Sequence, residues 1–184
     1  SALLGSSGAS LCSMVASLTY YKKGFFHLRD EMNDLGKRAQ SIKDTLAVLV
    51  DEDTNAFNAI MDSSKMPART DKEARIKQIA LKNANERAFE VPFLIASLCA
   101  DVMDLCIPLS LKGNPNSISD IGVAVESAYA GFKGASMNVL INMPGIDNKN
   151  LRNKISEDLK NKKKKIEKSY ELAIDNVNKV MDSL

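Results

Sequence analysis

Tryptophan is absent from this 184-residue chain, histidine occurs once, and aromatic residues make up only 5 % of it. The lone His27 allows a His-based triad only if that residue is central, and its neighbours Phe25, Phe26 and Leu28 read as core or interface. Cys12, Cys99 and Cys106 lie in apolar helical surroundings at spacings that fit no zinc or redox motif, so metal centres built from several His or Cys ligands are excluded by count. They read as reduced core residues of a cytosolic protein. Sustained period-two alternation and hairpin dipeptides are missing, which removes strands and, with them, the strand–glycine loop–helix unit that cradles phosphate. A net charge of +2 provides no bulk attraction to nucleic acid or to an anionic membrane. No uninterrupted apolar run approaches the roughly 20 residues of a membrane span.

What remains is helical. An apolar content of 45 % can fill one sizeable core, and the length suits a single domain over residues 1–184. The expected architecture is an all-α bundle of five to six helices. Its organising stretch is Asn114 to Asn142. There Ile118, Ile121, Val125, Ala128, Phe132, Ala135, Val139 and Asn142 recur at spacings of three and four, which stacks them on one helix face. Asn114, Pro115 and Asn116 form a turn, and Ser117 with Asp120 is an acidic variant of the capping box. Polar groups gather at both ends of this helix, while Gly122, Ala124, Ala128, Ala130, Gly131, Gly134 and Ala135 keep its middle thin.

A first helix over residues 2 to 18 has Leu4, Leu11, Val15 and Leu18 as its expected buried line. Gly5 and Gly8 each weaken it by ~1 kcal/mol relative to Ala, so close packing is the expected compensation. A signal peptide fits poorly, because no basic region precedes the apolar one. The segment ends on the polar, basic cluster Thr19 to Lys23.

The next helix, about Met32 to Ser64, carries Ile42, Leu46, Leu49, Ala56 and Ile60 on one seam, and Asp53 interrupts that seam. A carboxylate in an apolar line is either paired internally or lines a cleft open to water or ligand. Desolvation there would raise its pKa toward proton-transfer duty.

Thr70 and Glu73 form a capping box for a third helix, with Ile76, Ile79, Ala80, Ala84 and Ala88 inward. Pro92 predicts a kink at Ala88 to Pro92, and Pro108 predicts a stop. Asp147 is the expected cap of a final helix reaching Leu184, and its run Lys162 to Lys165 reads as a solvated face.

Several blocks together resemble the formiminotransferase-cyclodeaminase family: Met14 to Thr19, Asp51-Glu52-Asp53-Thr54-Asn55-Ala56-Phe57, Met66-Pro67, Val91-Pro92, Gly113 to Asp120, and Asn138-Val139-Leu140-Ile141-Asn142. The likeness is to its cyclodeaminase domain, which also occurs as a stand-alone bacterial protein and includes methenyltetrahydrofolate cyclohydrolases. It runs from Ser1 to about residue 155. Family members carry a further helix and a Pro-Gly-Gly-Gly-Ser turn before the position of Ser1, so both are expected to lie outside this sequence. The resemblance implies a homodimer acting on tetrahydrofolate one-carbon units without metal or redox cofactor; the cysteines, charge and short apolar runs add the expectation of a cytoplasmic protein with no nucleic-acid or membrane partner. Asp53 and Asp120 are then the candidate proton carriers. Asn116, Ser119, Asn138 and Asn142 would hold pterin donors and acceptors, because an amide offers both. Lys22 or Lys23 would meet the glutamate tail.

Overall fold

Five α-helices carry the chain in the computed structural model, which describes residues 1–183: α1 (Ala2–Tyr21), α2 (Arg29–Lys65), α3 (Asp71–Lys112), α4 (Ile118–Asn142) and α5 (Lys149–Met181). Short 3-10 turns at Phe26–Leu28, Pro115–Ser117 and Met143–Gly145 join them, and no strand occurs among the described residues. α1 packs on α2 and α4, α3 packs on the same two helices from the other side, and α5 lies against α3 and α4. The α4 seam behaves as its spacing requires, with Ile118, Ile121, Val125, Ala128, Phe132, Ala135 and Val139 all buried. At the start of α3 the capping box is complete. The Thr70 hydroxyl accepts from the Glu73 amide at 3.2 Å, and the Glu73 carboxylate accepts from the amides of Thr70 at 3.2 Å and Arg69 at 2.8 Å.

α1 departs from expectation most sharply. It buries Gly5, Gly8, Ala9, Cys12, Val15, Ala16 and Thr19, while Leu4 and Leu18 stay 44 % and 46 % exposed and Leu11 is half-buried. The cause is distance. A Cβ on Gly5 would stand 2.6 Å from Cys99 Sγ, one on Gly8 would stand 3.0 Å from the Ala124 carbonyl oxygen, and one on Gly131 would stand 2.9 Å from Cys99 Sγ. Helices this close admit only small side chains, so the leucines turn outward.

Other boundaries shift for local reasons. α3 runs through both Pro92 and Pro108 to Lys112, ending where the Gly113 amide donates to the Leu109 carbonyl at 2.9 Å. Burial of Leu109 and Ser110 outweighs the donor that Pro108 lacks. Ser117 makes no side-chain cap; the carboxamide oxygen of Asn114 accepts from the Asn116 amide at 3.1 Å instead. Asn148, not Asp147, caps α5 by accepting from the Asn150 and Leu151 amides at 3.0 and 3.2 Å. α5 ends at Met181, and Leu184 lies outside the described residues. Ile76 and Ile79 are exposed because α2 and α3, at 37 and 42 residues, outreach the shorter α1 and α4. His27 is exposed in its 3-10 turn and belongs to no core. By length and mean hydropathy α1 and a window of α3 would each pass for a membrane span, yet both serve as packed helices of the bundle.

All three cysteines are free and buried, and burial pushes the Cys99 thiol up to about 12. Native protein at pH 8 is therefore expected to leave an aromatic disulfide reagent unreacted, with all three thiols titrating in denaturant; rapid reaction of the folded protein would contradict this packing.

Glycine substitutions test the helix spacing. Gly→Ala inside a helix normally gains about 0.5–1 kcal/mol. At Gly36, where a Cβ would meet only Ala16 Cβ at 3.6 Å, that gain is expected in urea denaturation. At Gly5 the sign is expected to reverse, with a loss of about 1–3 kcal/mol from overpacking against Cys99.

Candidate active site

The eight residues singled out in the sequence fall into two groups at opposite ends of α4. Asp120 and Asn142 stand near the two ends of this 25-residue helix, about 33 Å apart along its axis. At the C-terminal end Asp53, Asn138 and Asn142 come together in a cleft of about 450 Å³ between α2, α3 and α4. Ala56, Phe57, Ile60 and Ile141 supply its apolar walls. Asp53 is half-buried there. The guanidinium of Arg87 pairs with Glu52, one residue earlier, and among the described residues Asp53 has no ion pair. It therefore faces the cleft as a free carboxylate, the second of the two arrangements open to a seam aspartate.

Asn142 has a structural duty as well. Its amide Nδ2 donates to the Ala88 carbonyl at 2.6 Å. Ala88 lies four residues before Pro92, and Pro92 has no N–H to give it. A side chain from α4 thus supplies the donor that α3 lacks, and this fixes Asn142 in the cleft wall with its carboxamide oxygen free to accept.

At the N-terminal end of α4 the arrangement rests on Thr19 and Asn114. The fully buried Thr19 hydroxyl donates to the Val15 carbonyl at 2.7 Å and accepts the Asn114 amide at 2.9 Å, tying the end of α1 to the α3–α4 turn. The Lys22 ammonium donates to the Asn114 carboxamide oxygen. Asn116 and Ser119 are exposed beside this anchor, Asp120 is half-buried, and Lys23 reaches into solvent. Thr19 and Asn114 carried no functional signal in the sequence beyond turn chemistry, a polar helix end and their place in the family blocks. Their role arises from a contact 95 residues apart along the chain. Phe57, a cleft wall, lies off every seam and was legible only as part of the Asp51 to Phe57 family block.

A second groove of about 460 Å³ lies on the other side of α4, against α5, and holds none of the eight residues. Its carboxylate, Glu167, is 3.8 Å from Lys163. Nearby the Tyr170 hydroxyl donates to Glu126 at 2.7 Å, and that bond, with burial, pushes the phenol up. Lys160 and Lys163 to Lys165 are exposed, Lys165 pairing with Asp104 at 2.5 Å, as a solvated face requires. Among the described residues no three His, Cys, Asp or Glu side chains cluster closely enough to hold a metal ion.

An all-α bundle with a free carboxylate and two amides set among apolar walls defines a class, the helical enzymes that build a small-molecule site between facing helices. Within that class, the chain belongs to the formiminotransferase-cyclodeaminase family, whose model matches residues 1–161. It is 36 % identical over 148 residues to a methenyltetrahydrofolate cyclohydrolase of Methylorubrum extorquens, covering 80 % of this chain and 71 % of that protein. Formimidoyltransferase-cyclodeaminase of Mus musculus is 34 % identical over 136 residues, which is 74 % of this chain but 25 % of the mouse protein. The crystal structure of formiminotetrahydrofolate cyclodeaminase from Thermotoga maritima superposes with a TM-score of 0.85 at 26 % identity, covering 98 % of this chain and 86 % of the other.

The bond between Asn142 and Ala88 makes a double-mutant cycle informative. Asn142→Ala is expected to cost about 1–3 kcal/mol, because it orphans a buried carbonyl. In a Pro92→Ala background, where the backbone donor returns, the same change is expected to cost at least about 1 kcal/mol less. Equal costs in the two backgrounds would show that the amide is not standing in for the missing N–H.

Proposed function

We propose that this chain is a folate one-carbon enzyme, a formiminotetrahydrofolate cyclodeaminase that closes the methenyl bridge and releases ammonia. The observation that carries the reading is Asp53, a half-buried carboxylate left without an ion pair beside Asn138 and Asn142 in an apolar-walled cleft. In cyclodeamination one folate nitrogen attacks the formimino carbon and passes through a tetrahedral centre. Starting from the protonated formimino group, the attacking nitrogen gives up a proton and the departing NH2 takes one to leave as ammonia, the positive charge staying on the methenyl bridge. A single carboxyl group accepts the first proton and returns it to the leaving group, the two halves of general acid–base catalysis. The carbon stays at one oxidation level, so electrons balance without an oxidant or reductant. The amides of Asn138 and Asn142 suit the alternating donors and acceptors of a pterin edge. Asp120 is the second candidate proton carrier. Asn116 and Ser119 are candidate pterin contacts, and Lys22 and Lys23 candidate partners of the glutamate carboxylates.

The cyclohydrolase reaction is the second reading, favoured by the likeness to the Methylorubrum protein over most of both chains. There water attacks the methenyl bridge and the ring opens to formyltetrahydrofolate. The same carboxylate would take the water proton and pass it to the departing ring nitrogen.

The reading extends to a homodimer. α1 contains no charged residue, and its exposed side shows Leu3, Leu4, Ser7, Ser10, Met14, Leu18 and Tyr21, with Leu3 68 % and Tyr21 74 % open to solvent. On the neighbouring α4, Val123, Ala130 and Ile141 are exposed and uncharged as well. An uncharged face of about 30 by 20 Å is comparable in scale to the roughly 800 Å² that each partner contributes to a stable interface. Free buried thiols and a near-neutral charge support a cytoplasmic protein with no call for nucleic acid or membrane.

Incubation with formimino- and methenyltetrahydrofolate, followed by absorbance and ammonia release, separates the two activities. Asp53→Asn and Asp120→Asn are each expected to lower turnover at least about a hundredfold with the helical circular dichroism retained. Wild-type rates in both variants would dismiss these carboxylates. Absence of any folate turnover or binding would leave the chain a helical interaction module.

A further inference from the structure

The groove between α4 and α5 has the build of a second binding site, separate from the Asp53 cleft. We infer that it takes a straight-chain alkyl carboxylate, an anion whose apolar tail of about ten carbons suits a pocket of this size. The groove exists because α4 and α5 run antiparallel. Gly122 lies against Val177, Tyr129 stacks on Tyr170 with ring centroids 4.4 Å apart, and the chain turns back between Asn142 and Lys149. From Tyr129 to Leu140 the groove follows α4 for about 16 Å, and its volume is about 460 Å³. α4 is the partition between the two hollows: Met137 and Leu140 line the groove, whereas Asn138 and Ile141, the next residues along, line the Asp53 cleft.

The floor calls for an apolar body. Phe132 and Leu159 are buried there, and Met137 and Leu140 stand at the sides, 57 % and 55 % exposed. Two helices offer such a ligand little backbone to bond, because their N–H and C=O groups are already paired along the helix axes. The Ser136 hydroxyl is likewise spent, donating to the Phe132 carbonyl at 2.7 Å, and Ser156 is exposed at the rim. A pterin or a sugar, which needs donors and acceptors around its whole outline, finds few on this floor. An alkyl chain needs none. Met137, unbranched and flexible, can close over tails of different length.

The rim calls for an anion. Lys133 stands on α4 and Lys160 and Lys163 on α5, all exposed, against a single carboxylate, Glu167. Glu167 reaches Lys163 at 3.8 Å, an exposed pair that contributes little. Among the described residues Lys133 and Lys160 have no carboxylate partner, and the Lys133 ammonium rests 5.3 Å from the centre of the Tyr129 ring. Ammonium groups from two facing helices are thus free to meet one head group while its tail lies over Phe132 and Leu159. The same lysines argue against a second copy as the occupant, since a two-fold contact through this groove sets lysine against lysine. The part of the chain that matches the family ends at residue 161, before Lys163 and Glu167, so this wall is no part of that match.

Titration calorimetry of the full chain with sodium decanoate, kept below its micelle concentration, tests the site. Saturable binding to one site per chain is expected, and across hexanoate, octanoate and decanoate each added methylene is expected to tighten it about threefold to fourfold. Decylamine, the same tail with a cationic head, is expected to bind at least about tenfold more weakly. The double variant Lys133→Gln, Lys160→Gln is expected to lose decanoate affinity at least about tenfold, with the helical circular dichroism retained. Its control, Lys154→Gln with Lys168→Gln, removes two exposed lysines of α5 outside the groove and is expected to bind as the wild type does. Equal affinity for decanoate and decylamine, or equal losses in the two double variants, would reduce the effect to apolar adsorption or bulk charge and overturn the inference. Competitive displacement by methenyltetrahydrofolate would move the ligand to the Asp53 cleft, and dissociation of a dimer by decanoate, seen in light scattering, would make a second copy the occupant; either result rejects the site. Absence of binding rejects it outright and leaves the folate reading untouched.

Discussion

The close approach of α1 to α3 and α4 is the constraint on which the rest of the molecule depends. Gly5 and Gly131 converge on the same sulfur, Cys99 Sγ, from two different helices, and Gly8 lies against the backbone of α4. Three helices meeting at such short range leave no volume for branched side chains, so the contact is made by backbone and by Ala, Cys and Ser. Dispersion grows as surfaces approach, and close-packed interiors forfeit it where gaps remain. The glycines cost helix propensity, and the tight contact offsets that cost. The leucines that such a helix still carries have nowhere to go but outward. Core packing and the exposed apolar side of α1 therefore have one cause.

A second dependency links α3 to α4. Pro92 sits among buried residues, where an unpaired carbonyl is expensive, and the orphan it creates at Ala88 is met by an amide from α4. The same amide helps to line the Asp53 cleft. The position of one cleft wall is thus set by a backbone defect in the facing helix, which gives Asn142 a fixed orientation before any ligand arrives. Polar residues held in this way make better binding groups than ones free to rotate, because the ordering entropy is already lost.

Helix existence was legible from three-four spacing, and the α4 seam, the Thr70–Glu73 box and the Asp53 anomaly all followed from pattern and cap chemistry alone. What pattern could not show was which side of α1 faces in. The rule that apolar residues point to the core assumes that the neighbouring helices stand at ordinary distance, and α1 stands closer. The proline at position 108 was misread for a related reason, since propensity marks a break and tertiary burial of Leu109 overrides it. The site residues were individually visible as polar interruptions. Their division between two ends of α4 was not, because spacing along a helix gives faces and says nothing of which other helix covers each end. Thr19 and Asn114 illustrate the limit, for their contact joins distant stretches of chain with no periodic signature.

The treatment of acidic groups around the cleft separates structural from chemical duty. Glu52, one residue from Asp53, is neutralised by Arg87, and Glu31 at the far end of α2 takes Lys112 at 2.8 Å. Both are exposed or nearly so, where an ion pair contributes at most about 1 kcal/mol. Stability alone would place Arg87 as readily against Asp53, which is half-buried like Glu52. Instead the guanidinium pairs with Glu52, and Asp53 is left in the cleft with Asn138 and Asn142, groups that can bind a ligand without quenching a charge. A carboxylate held by a guanidinium is a poor proton acceptor, because the pairing stabilises its anion. With the cation engaged one residue away, the Asp53 carboxylate stays open to the cleft.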